Sequence, residues 1–391
     1  MNENLAMQRI YLDNAATSWP KPTEVYDAVD RWQRENGAPF GRGVYDSASA
    51  TDRLVHDARR AVATLLGVDD PSRVVFTLNG TDALHLAIQG LIKPGDHVVT
   101  TVVEHNSVLR PLRQLESRGV ATTHVGCDGN GVVAAGDVIK ALNSKTKFVV
   151  VAHASNVTGA LQPVAEIGTE LRRRGVTFVV DAAQTLGELP FTAEELSCDL
   201  LAAPGHKGLL GPLGTGVLYI RPGIEERLAS IRTGGTGSLS NSTLQPKTMP
   251  DKFEAGNLNV PGIVGLGAGA RWLLHRGIAN VREHALLLTT RLLDSLLTLN
   301  GVRVLGPREA SRCVGLVSLT IEGYDPQEAA AVLATSFGIE ARAGLHCSPL
   351  MHKALGTDAG GGTLRLSLGP LNTAEHVDAA VAALGQLTTS S

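Results

Sequence analysis

The stretch "VTFVVDAAQ" (176–184) places β-branched and aromatic residues at every position from Thr177 to Val180 and ends that run on Asp181. A strand with one wet face alternates apolar and polar side chains, whereas one covered on both faces is apolar throughout. "TKFVVVAHAS" (146–155) repeats the pattern upstream, and "VAEIGTELRRRG" (164–175) between the two has helical spacing that closes on a glycine. The same alternation continues outward. "SRVVFT" (72–77) predicts a strand, "DALHLAIQGLI" (82–92) a helix, "DHVVTTVVEHNS" (96–107) a strand and "SVLRPLRQLESR" (107–118) a helix. Strands alternating with helices predict a doubly wound α/β layer around a mainly parallel sheet.

Beyond residue 261 the pattern changes. A long helical stretch (262–299) leads into "VGLVSLTIEG" (314–323), with further helices expected over 326–336 and 374–388. This predicts a large domain over 18–261 and a smaller α+β domain over 262–391, completed by residues 1–17. No internal repeat or low-complexity tract interrupts the chain, and the glycine-rich "TGGTGS" (233–238) and "DAGGGT" (358–363) read as loops.

Composition narrows the function classes. Hydrophobic residues make up 43% and charged residues 19% of the 391, as in ordinary globular proteins. A net charge of −3 without a long Lys/Arg run leaves no footprint for nucleic acid. Cys127, Cys198, Cys313 and Cys347 are widely spaced with no CxxC pair, so neither a metal site nor a disulfide framework is expected. The opening "MNENLAMQRIYLDNAAT" has no basic segment before an apolar core, and no apolar run approaches membrane-spanning length. A cytoplasmic protein without membrane partners is expected.

The passage "CDLLAAPGHKGLLGPLGTGVLYI" (198–220) puts Lys207 in a glycine-rich loop between two apolar runs. Such flanks desolvate an ammonium, lower its pKa and free the amine for Schiff-base chemistry. Asp181 follows a buried strand, at the carboxyl edge where open α/β sheets bind ligands. A carboxylate there is suited to the ring nitrogen of a pyridine cofactor. "LNGTDALHLAI" places Gly80 and Thr81 at a helix start, where backbone N–H groups bind phosphate. Together the three features predict a cofactor site.

With "YLDNAAT" (11–17), "VVEHNSVLRP", "HASNVTGALQPV", "GHKGLLGPLGTG", "FEAGNLN", "RAGLHC" and "TLRLSLGPLNT" (363–373), the chain resembles the class V aminotransferase superfamily of pyridoxal-phosphate enzymes. Within it, the resemblance is to the cysteine desulfurase and selenocysteine lyase branch, of the type with a short catalytic loop. The resemblance implies pyridoxal-phosphate fold type I. It implies pyridoxal 5'-phosphate held as a Schiff base on Lys207, its ring nitrogen on Asp181, its ring stacked by His105 and its phenolic oxygen bonded by Gln184. Asn156 would lie near ring and substrate. Gly80, Thr81 and His206 would bind the phosphate, joined by Thr236 from the partner subunit of a homodimer. Arg365 would clamp the substrate carboxylate, and Asn14 and Ala15 would line the substrate pocket. One departure stands out: two residues before His206, where relatives often carry a phosphate-binding serine, this chain has Pro204, which has no proton to donate.

Cys347 in "ARAGLHCSPL" (341–350) is by default a small buried apolar residue. The resemblance makes it the nucleophile instead: its thiolate would take the sulfur of L-cysteine as a persulfide and leave alanine, with His346 as a neighbour able to assist. Lys207, His105 and Cys347 are then the catalytic set. A selenocysteine lyase or another C–S lyase of the same superfamily is the alternative reading, a scaffold without turnover a remoter one, and the sulfur acceptor, protein or small molecule, is unnamed.

Overall fold

The structure, a computed structural model, describes residues 9–41 and 43–389. Its central sheet has seven strands in the order Val74–Thr77, Gly216–Ile220, Leu200–Pro204, Thr177–Asp181, Thr146–Ala152, His97–Thr101 and Ala121–Val125. All run one way except Gly216–Ile220, which is antiparallel to both neighbours.

The run that opened the sequence reading behaves as its composition requires. Every residue of Thr177–Asp181 is buried. Phe178 and Val180 point into one apolar cluster with Val149, Val151 and Leu201, while Val179 joins another with Phe148, Val150 and Leu200. Two-residue periodicity inside a continuous apolar run thus fills a core on each face of the sheet. Burial of these side chains contributes roughly 1.5–3 kcal/mol apiece.

Helices cap where the sequence signals them. Asn79 accepts from the Asp82 N–H at the start of Gly80–Leu91, and Gly175, at φ 66°, ends Val164–Arg174. The elements that escaped prediction include helices Thr23–Glu35, Asp46–Leu65, Ala135–Lys140 and Pro349–Leu355, the strand Val302–Leu305, and the edge strand Ala121–Val125, whose first four residues are exposed or half-buried and lack a clean period.

The helical stretch 262–299 is two helices, Val260–Arg276 and Ile278–Leu296, broken at Gly277 (φ 80°). The packing changes about one turn beyond the break, since Ile278 and Val281 still pack in the large sheet's core. Ile263, Leu266 and Leu273 belong to a core of the large sheet, whereas Leu292, Leu293 and Leu296 belong to a separate core. That second core covers an antiparallel sheet in the order Arg342–Gly344, Thr363–Ser367, Leu316–Ile321, Val302–Leu305. Ile10–Tyr11 pairs in parallel with Ile339–Glu340, and Leu12 packs beside Leu319 and Leu366, so the N-terminal segment joins this smaller unit.

Candidate active site

Ala152, Asp181 and Pro204 end three neighbouring strands, and all three line a cavity of about 220 Å³ at the carboxyl edge of the large sheet. Gly80, Thr81, His105, Asn156, Gln184, His206 and Lys207 line it from the large unit, and Ala15 from the N-terminal segment. Arg365 and Cys347 reach it from the smaller sheet. Residues up to 350 positions apart in sequence (15 to 365) therefore meet in one space.

Lys207 sits on the loop between Leu200–Pro204 and Gly216–Ile220. That loop is packed tightly: a Cβ on Gly208 would collide with the Leu186 carbonyl, so glycine is required there. The His206 carbonyl, which forms the peptide bond to Lys207, accepts from Ser18 N–H (2.9 Å), Ser18 Oγ (3.1 Å), Thr17 Oγ1 (3.2 Å) and Lys21 Nζ (3.4 Å). Lys207 Nζ itself makes no hydrogen bond or ion pair to the described residues. Burial, reinforced by the nearby Arg365 charge, pushes its pKa down to about 8. The amine is positioned, desolvated and uncommitted.

Asp181 accepts from the Ala183 N–H (2.9 Å) and burial raises its pKa, so a positively polarised N–H placed against it would relieve the desolvation of its charged form. Gln184 donates through Nε2 to the Ala15 carbonyl (3.2 Å). At the other end, the helix Gly80–Leu91 opens onto the cavity, and its first N–H groups have no intrahelical acceptor. His206 Nδ1 is buried without a partner among the described residues, and burial lowers its pKa to about 4. Two backbone donors and an unpartnered imidazole nitrogen make an anion cradle. Pro204 packs against it, 3.0 Å from where a Gly80 Cβ would stand, and offers no donor.

His105 has two functions at once. It is the N-cap of Asn106–Glu116, its Nδ1 accepting from the Ser107 N–H (3.0 Å), and its ring lines the cavity. Burial, with the Lys207 charge, pushes its pKa down to about 4, so the ring is neutral.

The Cys347 turn is held from the large unit. Asn156 donates through Nδ2 to the His346 carbonyl (2.6 Å) and accepts through Oδ1 from Ser348 Oγ (2.7 Å). The Asn106 N–H donates to the Cys347 carbonyl (2.8 Å). His346 (φ 47°) and Cys347 (φ 60°) both lie in the left-handed region, a conformation that costs about 1–3 kcal/mol per non-glycine residue and needs such restraint. Cys347 is the only exposed cysteine of the four. His346 also lines the cavity: its Nε2 meets Thr363 O (3.1 Å) and Oγ1 (3.0 Å), its buried Nδ1 has no partner among the described residues, and burial drives its pKa to about 2. Arg365 donates to the Asn156 carbonyl (2.9 Å) and pairs with Asp13 (2.8 Å), which leaves its buried Nε without a partner.

Two expected site residues lie elsewhere. Asn14 is buried behind the cavity wall, its Nδ2 donating to Ser367 O and Asn372 Oδ1. Thr236 hydrogen-bonds Ser238 and lines a different, smaller depression beside Phe40 and Glu254. Arg342, Ser107, Asp13 and Glu104 were not singled out in the sequence. Arg342 and Ser107 line the cavity, and Arg342 stands opposite Arg365 in the sheet register. Glu104, buried with Oε1 on Thr101 Oγ1 (2.7 Å), has its pKa raised to about 8 by burial. A carboxylate inside the apolar run "TTVVEHNS" was the available signal for it.

Residues 10–380 match the family model for aminotransferase class-V. A probable cysteine desulfurase of Methanothermobacter thermautotrophicus is 34% identical over 95% of this chain and 93% of its own length. The cysteine desulfurase IscS of Methanosarcina thermophila is 32% identical, over 96% and 91%. Among solved structures, the apo cysteine desulfurase of Thermococcus onnurineus superposes with a TM-score of 0.92 at 33% identity, covering 98% of this chain and 95% of that one. The Escherichia coli cysteine desulfurase CsdA follows at 0.87 and 28%, with the same coverage. The architecture is the fold type I that the resemblance implied. Sequence and fold agree from the strand at Ile10 into the last helix, and the chain belongs to the aminotransferase class-V family.

Proposed function

We propose that the protein is a pyridoxal-phosphate-dependent cysteine desulfurase that converts L-cysteine to L-alanine and holds the sulfur as a persulfide on Cys347. The observation that carries this is one cavity lined by the desolvated Lys207 amine, the strand-end carboxylate of Asp181 and the only exposed cysteine. The relatives' own description as cysteine desulfurases points the same way.

The residues fit the cofactor. Gly80, Thr81 and His206 would hold its phosphate, Asp181 its ring nitrogen, Gln184 its phenolic oxygen, and Lys207 its carbonyl carbon, with His105 against the ring. When bound, the cofactor supplies an electron sink for the carbanion left at the substrate α-carbon. Arg365 meets the substrate carboxylate, its Nε being the free donor. Lys207, with a pKa near 8, takes and returns the α-carbon proton. The Cys347 thiolate attacks the substrate sulfur: the S–S bond forms, the C–S bond breaks, and its electron pair stays with the carbon skeleton. Protonation of that skeleton gives alanine, so cysteine and enzyme thiol become alanine and enzyme persulfide.

Because Thr236 lies outside its own chain's cavity, we also propose a homodimer in which each subunit's Thr236 completes the other's phosphate site. Two separate apolar cores support a large and a smaller domain, with the N-terminal segment in the smaller one. A cytoplasmic location is consistent with four free cysteines, and no helix among the described residues is long and apolar enough to cross a membrane.

The test incubates the purified yellow protein with L-cysteine and, separately, selenocysteine. Sulfide or selenide and alanine are quantified, and the persulfide is mapped by peptide mass spectrometry. Borohydride should fix the cofactor to Lys207 and cysteine should load sulfur on Cys347. Label on another lysine, or sulfur on Cys127, Cys198 or Cys313, sinks the assignment, and turnover of selenocysteine alone makes the protein a lyase.

A further inference from the structure

Ser107 is one of the cavity's polar side chains without an assigned role. Its Oγ stands 2.8 Å from His105 Nδ1 and 2.7 Å from Thr81 Oγ1, and its own backbone N–H donates to the same Nδ1 (3.0 Å). An imidazole nitrogen that accepts from a backbone N–H carries a lone pair, so the proton of the neutral ring is on Nε2. The Ser107 hydroxyl is then stable at 2.8 Å from that lone pair only with its hydrogen aimed at Nδ1. Its oxygen lone pairs are left to accept from Thr81 Oγ1–H. The chain of hydrogens therefore runs Thr81 to Ser107 to His105. The opposite direction needs a hydrogen on Nδ1 and breaks the N–H cap that starts the helix Asn106–Glu116. Nε2 makes no hydrogen bond to the described residues, and the ring lines the cavity.

From this geometry we infer that Ser107 is a positioning residue that locks His105 in its Nε2–H tautomer, so that the ring meets the contents of the cavity as a hydrogen-bond donor. The second ring nitrogen of a functional histidine commonly sets the tautomer of the first, and here a single residue supplies both donors to it. The same chain turns the Thr81 hydroxyl away from the anion cradle, so Thr81 faces a phosphate with its backbone N–H. What the Nε2–H donor meets rests on the pyridoxal-phosphate reading above, whereas the tautomer itself does not.

The experiment is nitrogen NMR of the cofactor-loaded protein carrying ring-labelled histidine, with the His105 signals identified by their loss in His105→Gln. The expected result is a protonated Nε2 and a bare Nδ1. In Ser107→Ala, which keeps the backbone donor and loses the hydroxyl, the Nδ1–H population should rise about fivefold, as expected for one lost hydrogen bond. Ser107→Thr should restore the wild-type signature. An Nδ1–H form as the major wild-type species overturns the inference, as does a Ser107→Ala spectrum identical to wild type. Failure of borohydride to label Lys207 would overturn the cofactor reading instead and leave the tautomer result standing.

Discussion

Lys207 and Cys347 line one cavity, yet the chain prepares them by opposite means. Lys207 is sunk between the strand ends of the large sheet, where burial lowers its pKa to about 8. Cys347 is exposed at the tip of a turn from the smaller unit, fixed by hydrogen bonds to its backbone and its neighbours. Desolvation always favours the neutral form, which is the useful form of an amine and the useless form of a thiol. The other cysteines show the consequence: burial pushes Cys198 up to about 12 and Cys313 to about 11. A nucleophilic thiol has to be held by its backbone rather than by enclosure.

The contrast breaks most visibly if Lys207 is dispensable. On the proposed roles, Lys207→Ala removes both the cofactor attachment and the proton carrier, so sulfide release should fall at least about a thousandfold. Assay at saturating cysteine with excess cofactor decides it, and a loss under about tenfold would place the proton transfer elsewhere. Cys347→Ser comes next. Sulfide release should drop about a hundredfold or more, on the order of 3 kcal/mol in the barrier, while fold and yellow colour persist. Single replacement of Cys127 by Ala should leave the rate within about twofold, since side chains outside the site affect chemistry little.

The tether is probed by Asn156→Ala, which strips partners from the His346 carbonyl and the Ser348 hydroxyl. Unfolding stability should fall by about 3 kcal/mol, for two buried groups left unsatisfied. Persulfide formation should slow about tenfold, because a displaced nucleophile loses its near-attack geometry. Urea midpoints and single-turnover kinetics would report both. Loss of borohydride labelling at Lys207 in this variant would mean that the two regions are not held independently.

The last effect concerns pH and stability alone. Folded Lys207 binds its proton with a pKa of about 8, against 10.5 for an ordinary lysine. Between those values the unfolded chain holds more protons, so stability gained from Lys207 rises with pH across that window and levels off above it. Cofactor-free Lys207→Met should lack this increment. Parallel pH dependence in the two proteins would show that Lys207 is not desolvated.

Much of this was legible in one dimension. Continuous apolar strands, the strand-end position of Asp181, the desolvated lysine loop and the helix start at Gly80 each follow from neighbours within a few residues. Others were out of reach. Asn14 looked like a pocket residue by its motif, but its amide is taken up by Ser367 and Asn372, more than 350 positions away. Gly277 breaks one helical pattern, and only the packing reveals that the core changes within the second helix, between Val281 and Leu288.

The sequence by itself determined the layered α/β architecture and pointed to the candidate reactive groups. Backbone preference, burial period and side-chain chemistry are local properties that a linear pattern records. Only the tertiary structure decided which groups share a cavity, which cysteine stays exposed, and which way His105 is hydrogen-bonded. Those depend on distances between residues such as Thr81, Ser107, Lys207 and Arg365, which the chain brings together only by closing loops between separate sheets. That closure is set by the summed packing of both cores, and no single stretch of sequence encodes it.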